Sequence, residues 1–329
     1  MKQVTATVGL LTVIISVLLT AFAWPAVRSS VHDVPIAVAG PAPAVAQVTG
    51  ALEQRLPGAF DVTAVTDTAA AERLIRDREA YGAIDLTSGT PQVITASAAG
   101  TAVAQTLQAL GTALAHEGQA PTTAVRDLAA LPTDDPRGAG LAAGALPLVL
   151  GGILAAVLLT ARVRGTGRRV AGALAFAVTG GLAMAAILQF WLGSLGGGYL
   201  ANAGAIGLAV AATALTVLGL ESLLGMAGVG IGAATMMLIG NPLSGAATAP
   251  QMLPGWSGAL GQLLPPGAGG SLLRSTAFFD GAAATRPVVV LLAWLAVGAL
   301  LCAAGAMRAR RRQAKAPAEP AREVATATA

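Results

Sequence analysis

The residues able to do chemistry in this chain are few and stand apart. Two histidines, His32 and His116, and a single cysteine, Cys302, share no spacing that a metal ion requires. His32 lies beside Asp33, and His116 falls near the end of a helical pattern, where a cation meets the dipole favourably; both read as solvated or capping side chains. Cys302 sits inside an apolar run and has no partner for a disulfide. Asp134 and Asp135 adjoin in Thr133-Asp134-Asp135-Pro136-Arg137-Gly138, where neighbouring side chains diverge, so a turn accounts for them better than acid-base or metal chemistry. No phosphate-binding G-x-x-x-x-G-K-[ST] loop exists: Gly165-Thr166-Gly167-Arg168 lacks the lysine and the preceding strand. No catalytic residue, metal ligand or cofactor site follows from these patterns.

Charge is the more informative chemistry. The chain has 329 residues, 55% hydrophobic and only 11% charged, with a mean hydropathy of +0.70. Soluble globular chains carry roughly 25% charged residues, so most of this one must meet lipid. The glycines, 41 in number, follow no period of three, which excludes a collagen-like chain. The net charge of +4 is unevenly placed: Arg28 to Gly140 holds seven Arg against twelve acids, while short basic patches flank apolar runs elsewhere. That distribution reads as membrane topology and not as a nucleic-acid-binding face.

Six apolar stretches approach the roughly 20 residues that cross about 30 Å of hydrocarbon as helix. They are Val4 to Ala26, Leu141 to Ala161, Val170 to Leu192, Leu200 to Leu220, Leu223 to Gly240 and Pro287 to Met307, and none contains a charged residue. Arg162, Arg164, Arg168 and Arg169 crowd the joint after the second stretch; burying all four at mid-membrane would cost on the order of 10 kcal/mol, so the joint must be a loop. Six crossings put that joint, Lys2 and the basic tail on one face, which the positive-inside bias names as the cytoplasm of a cell-membrane protein. The first stretch also carries a signal-peptide alternative, with Ala21-Phe22-Ala23 as cleavage site, although its apolar run continues through Val27 as a retained anchor would.

The expected fold is therefore a polytopic α-helical membrane protein with six transmembrane helices and a small α/β extracytoplasmic domain between the first two. Its parts are a membrane helix over 1–27, the outer domain over 28–140, a five-helix membrane domain over 141–307 with an outer loop over 241–286, and a disordered basic tail over 308–329. Within the outer domain, Val34 to Ala39 and Phe60 to Val65 read as strands, Val45 to Leu56 as helix, and Ala83 to Leu86 with Val93 to Ala96 as a strand pair. Asp67 offers an N-cap for a helix over Thr68 to Ala80, whose wet face includes Arg73, Arg76 and Arg78. A long helix follows from about Ala99 to His116, giving the order β-α-β-α-β-β-α.

This layout, with Val34-Pro35-Ile36-Ala37-Val38, Ala80-Tyr81-Gly82-Ala83-Ile84, Asp134-Asp135-Pro136-Arg137-Gly138, Gly240-Asn241-Pro242-Leu243-Ser244-Gly245, Leu253-Pro254 and Leu264-Pro265-Pro266-Gly267-Ala268, resembles the permease subunits of type-2 ABC exporters. It is most similar to the branch of phage-infection-protein-like membrane proteins. The resemblance implies a half-transporter that pairs with a second permease copy or homologue and with a separate cytoplasmic ABC ATPase, which alone would use ATP. It further implies alternating access driven by that partner, and the absence of ionisable residues from the spans points to an amphipathic, lipid-like or drug-like substrate. A receptor or secretion-accessory protein that moves nothing is the alternative.

On that reading Arg162, Arg164, Arg168 and Arg169 are the candidate ATPase contact, since a push on so short a joint must tilt two helices; orientation and lipid attraction alone would also explain them. Glu221 joins them as a partner, or caps the N-terminus of the fifth stretch. Gly225, Gly228 and Gly232 offer a small face for packing within the bundle or at a dimer seam. Asn241, Pro242, Pro254, Pro265 and Pro266 mark an interfacial or re-entrant segment, with short helices near Ser257 to Leu264 and Ser271 to Phe279, as a candidate outer gate or a lid in the headgroups. Gln189 and Asn202 are the most polar groups of the spans, which disfavours ion-coupled transport and suggests an apolar cavity.

Overall fold

The computed structural model describes residues 1–117, 124–246 and 248–315. Among the described residues five helices are long and apolar enough to cross a membrane: α1 (Lys2–Val27), α5 (Ala139–Arg162), α6 (Thr166–Ala186, continued by a π turn to Trp191), α7 (Tyr199–Leu224) and α11 (Thr285–Lys315). This is the build of a polytopic membrane protein. Between α1 and α5 come β1 (Val34–Ala39), α2 (Ala42–Arg55), β2 (Phe60–Val65), α3 (Thr68–Arg76), β3 (Gly82–Asp85), β4 (Gln92–Thr95), α4 (Thr101–Glu117) and β5 (Ala124–Asp127). After α7 come α8 (Met226–Ala234), a π turn to Gly240, and the short α9 (Ser257–Gln262) and α10 (Pro265–Phe278).

The sheet runs β2-β1-β3-β4-β5, parallel throughout except for the β3-β4 pair. Runs of Val, Ile and Ala fill β1 and β3 because both are buried on two faces, under α2, α3 and α4. The order matches the expected β-α-β-α-β-β-α with one strand added. β5 was illegible because Ala124-Val125-Arg126-Asp127 is short, exposed at every position and without apolar alternation. Asp67 does cap α3, its carboxylate accepting from the Ala70 amide at 2.8 Å, yet the helix stops at Arg76. Arg78 stands in the left-handed region with φ 62°, which costs a non-glycine residue about 1 to 2 kcal/mol and ends the helix four residues earlier than expected.

The fifth expected crossing also changes. Leu223 and Leu224 finish α7, Gly225 turns the chain at φ 65°, and Met226–Gly240 returns as a shorter helix. At 1.5 Å per residue it reaches about 22 Å, short of a hydrocarbon core of about 30 Å. α10 packs against its final π turn, where Gly240 lies against Pro266 at the head of α10. Pro265 and Pro266 open α10 because an N-terminal turn needs no amide donor there.

α7 is the axis of the bundle, touching α5, α6, α8, α10 and α11 and buried along most of its length. Small residues allow this: a Cβ on Gly298 of α11 would stand 2.5 Å from the carbonyl carbon of Leu215, and one on Gly152 of α5 would stand 2.8 Å from the Thr213 side chain. α1, by contrast, is exposed along most of its length and packs chiefly against 235–244. The domain is tied to the bundle through 249–252: Ala249 and Met252 complete its apolar core, and the Ser30 amide donates to the Met252 carbonyl at 3.0 Å.

Candidate functional site

Two places gather the polar side chains of the bundle. At the end far from the sheet, the α5-α6 joint meets the α7-α8 joint. Gly165, at φ 91°, lets the chain double back within a few residues. Arg169, from the first turn of α6, donates to the Val163 carbonyl at 2.8 Å and the Thr160 carbonyl at 3.1 Å, satisfying the end of α5. It also donates to Glu221 of α7 at 3.0 Å, and both side chains are largely buried. Glu221 therefore lies in the last turn of α7, where the dipole disfavours an acid, and not at a helix N-terminus; Arg169 supplies the compensation. Arg162, Arg164 and Arg168 remain exposed. α11 passes the same region, with Ser222 Oγ donating to the Leu301 carbonyl at 3.1 Å.

Gly228 and Gly232 pack against Leu220 and Val217 of α7, inside the chain. Gly225 is no part of that face: it is the joint itself, with nothing near its Cα hydrogens. Asn202 is fully buried, donating to Gln189 at 3.1 Å and Gly196 at 2.8 Å and accepting from Thr276 of α10 at 2.8 Å, so α7 is fastened to α10 at its other end. Pro242 opens a 3₁₀ turn after Asn241, and the Pro254 carbonyl accepts from Ser257 at 2.7 Å ahead of α9. His116 and the tail beyond Lys315 have no described side-chain structure.

The second place lies between the domain and the bundle. A cavity of about 470 Å³ is bounded by the N-terminal edge of β1 and β3 (His32, Asp33, Pro35, Tyr81), by Arg78, by the 250–262 segment, and by Ser271, Arg274 and Arg286. None of Asn241, Pro242, Pro254, Pro265 and Pro266 lines it. Three arginines, Arg78, Arg274 and Arg286, line this cavity. Arg78 donates to the Ser271 carbonyl at 3.0 Å and to Ser275 Oγ at 2.5 Å, and its guanidinium lies 5.3 Å from the Phe279 ring centre. Arg274 is 8% exposed; among the described residues its one hydrogen bond is to the Ala246 carbonyl at 3.3 Å, and its Nε has no partner. Among the described residues no carboxylate pairs with Arg78, Arg274 or Arg286. Burial, and then the neighbouring Arg274 charge, press the Arg78 guanidinium down to about 10. Tyr81, whose hydroxyl donates to Gln251 at 2.7 Å, is pushed above the usual phenol range by burial, against the pull of the same two arginines.

The opposite edge of the sheet is closed. At the C-terminal ends of β1 and β3, where parallel sheets commonly take ligands, Asp85 is already satisfied by Thr68 at 2.7 Å and by Thr87 at 2.9 and 2.7 Å. A hollow of about 530 Å³ outside α6 and α7 is lined only by Leu, Ala, Val and Gly and offers no polar group. Sequence reading placed Arg78 on a wet helix face and passed over Arg274 and Arg286. The available signal was that Arg274 is the one charged residue between Glu221 and Asp280, in a segment otherwise apolar or small. No family model, curated protein or solved structure matches this chain.

Proposed function

We propose that this chain is the permease subunit of an ABC-type exporter, resident in the cell membrane with its joint arginines in the cytoplasm and its α/β domain outside. A separate ATPase would supply the energy, and a second permease copy would complete the path for an amphipathic substrate. The observation that carries the reading is the fastening of two joints by one residue. Three arginines of the α5-α6 joint are free for a partner, while Arg169 holds the end of α5 and Glu221 of α7 together. A displacement of the joint thus reaches the axial helix, whose far end is bonded to α10 beside the arginine cavity.

The test is co-purification from native membranes after cross-linking. An ATPase is expected to accompany the wild-type chain and to fall at least about tenfold in an Arg162→Ala, Arg164→Ala, Arg168→Ala variant, which leaves the Arg169 tie intact. Full activity in cells lacking any such ATPase would overturn the proposal in favour of a receptor or secretion-accessory role.

A further inference from the structure

We infer that the cavity between the α/β domain and the bundle is a binding site for a phosphate-type oxyanion, presented by a small molecule or by a lipid headgroup. This stands apart from the transport proposal and holds equally for a receptor.

Three observations carry it. The first is uncompensated charge. Arg78 and Arg274 are removed from most of the solvent and face the same hollow, with Arg286 exposed at its mouth and no carboxylate bonded to any of them. Taking one guanidinium out of water is costly unless an opposite charge follows it, and two in one hollow repel. Asp33, also on the wall, is exposed at the rim and offsets one of the three charges. The balance suits an anion of up to two charges.

The second is unused donor capacity. A guanidinium carries five N–H donors in a fixed fork suited to phosphate or carboxylate, and Arg274 spends one of them on a long bond to Ala246 while its Nε points at nothing. Arg78 is different: its contacts to Ser271, Ser275 and Phe279 clasp the domain to α10. A purely structural account therefore explains Arg78 but leaves Arg274 without a reason. The third is size. At about 470 Å³ the cavity lies in the range of sites for organic ligands and exceeds what a simple ion fills. Its mouth, beside Arg286 and Pro287 at the head of α11, sits where a membrane span begins, so a headgroup still attached to its lipid can enter as well as a free phosphate.

The experiment uses the full chain, delipidated in detergent, with two probes. Inorganic phosphate is titrated by calorimetry. Phosphatidylcholine vesicles doped with phosphatidic acid are mixed with the protein, and retained lipid is read by native mass spectrometry. Arg274→Gln is expected to weaken binding about tenfold or more. Arg286→Gln, at an exposed rim position that no core packing depends on, should weaken it by a smaller factor, and Arg286→Lys should restore most of that loss. Saturable phosphate binding that both Gln variants weaken assigns a free ligand. Selective retention of phosphatidic acid by the wild type alone, without phosphate binding, assigns the headgroup. If neither probe binds the wild type, or if both variants bind as the wild type does, the inference fails.

Discussion

At the residue scale the informative positions are polar groups whose partners come from distant parts of the chain. Asp135 accepts from the Ala139 amide at 2.8 Å and the Gly140 amide at 2.7 Å, filling the open end of α5. Burial works against its charge, but the Gly140 and Ala139 amides, with the Ser194 hydroxyl and the Arg137 charge, together outweigh it and hold the carboxyl below its usual range. A depressed folded value means stability that is present above the unfolded value near 3.9 and is lost as pH falls through the folded one. Asp135→Ala should cost about 1 kcal/mol at neutral pH and remove that acid-side loss; the thermal midpoint against pH measures both. Arg169 and Glu221 should show coupling in a double-mutant cycle of about 1 kcal/mol or more, above the usual surface pair, because both side chains are sheltered. The turn at Asp134-Asp135 and the cap at Asp67 were legible in the sequence because each acts on amides a few residues away. The pairing of Glu221 with the arginine joint, 52 positions away, was open in the sequence as one alternative to helix capping; only the packing of α6 on α7 selects it, and Arg169 as the partner.

At the element scale, helix contacts here depend on the absence of side chains. Gly298→Ala would drive a methyl group into the α7 backbone at Leu215 and Thr216, costing about 1 to 3 kcal/mol. Gly230→Ala in α8 meets nothing within 4 Å and should be neutral or slightly stabilising. Thermal unfolding of the two variants in detergent separates packing from propensity, since only the first can be penalised by a neighbour. The sequence pattern placed the long spans well, because apolar length is a property of consecutive residues. It overran at α3, where Arg78 at positive φ ends the helix, and it set the break between α7 and α8 a few residues early, since α7 continues to Leu224 and the chain turns at Gly225.

At the scale of the whole molecule, the proposal of an outer domain and an inner joint makes a side-specific prediction. Cys302 is the single cysteine, so a Cys302→Ala background is silent to thiol reagents. In that background Ser88→Cys, on the exposed β3-β4 turn, should react with an impermeant maleimide in intact cells. Gly167→Cys, exposed in the first turn of α6 with open space around it, should react only after the cells are permeabilised. The reverse pattern would invert the topology and remove the joint arginines from any cytoplasmic ATPase.

What the sequence by itself determined is the partition of this chain: apolar runs long enough for lipid, basic joints that cannot enter it, and one segment polar enough to fold as alternating strands and helices. Each follows from composition over a window of neighbours, which is all that hydrophobic transfer and local periodicity require. Only the tertiary structure decided that Arg78, Arg274 and Arg286 share one hollow, because α3, α10 and α11 are distant in sequence and converge only when α10 packs on α7. Electrostatic need depends on what surrounds a charge, and for these three arginines the surroundings come from both halves of the molecule.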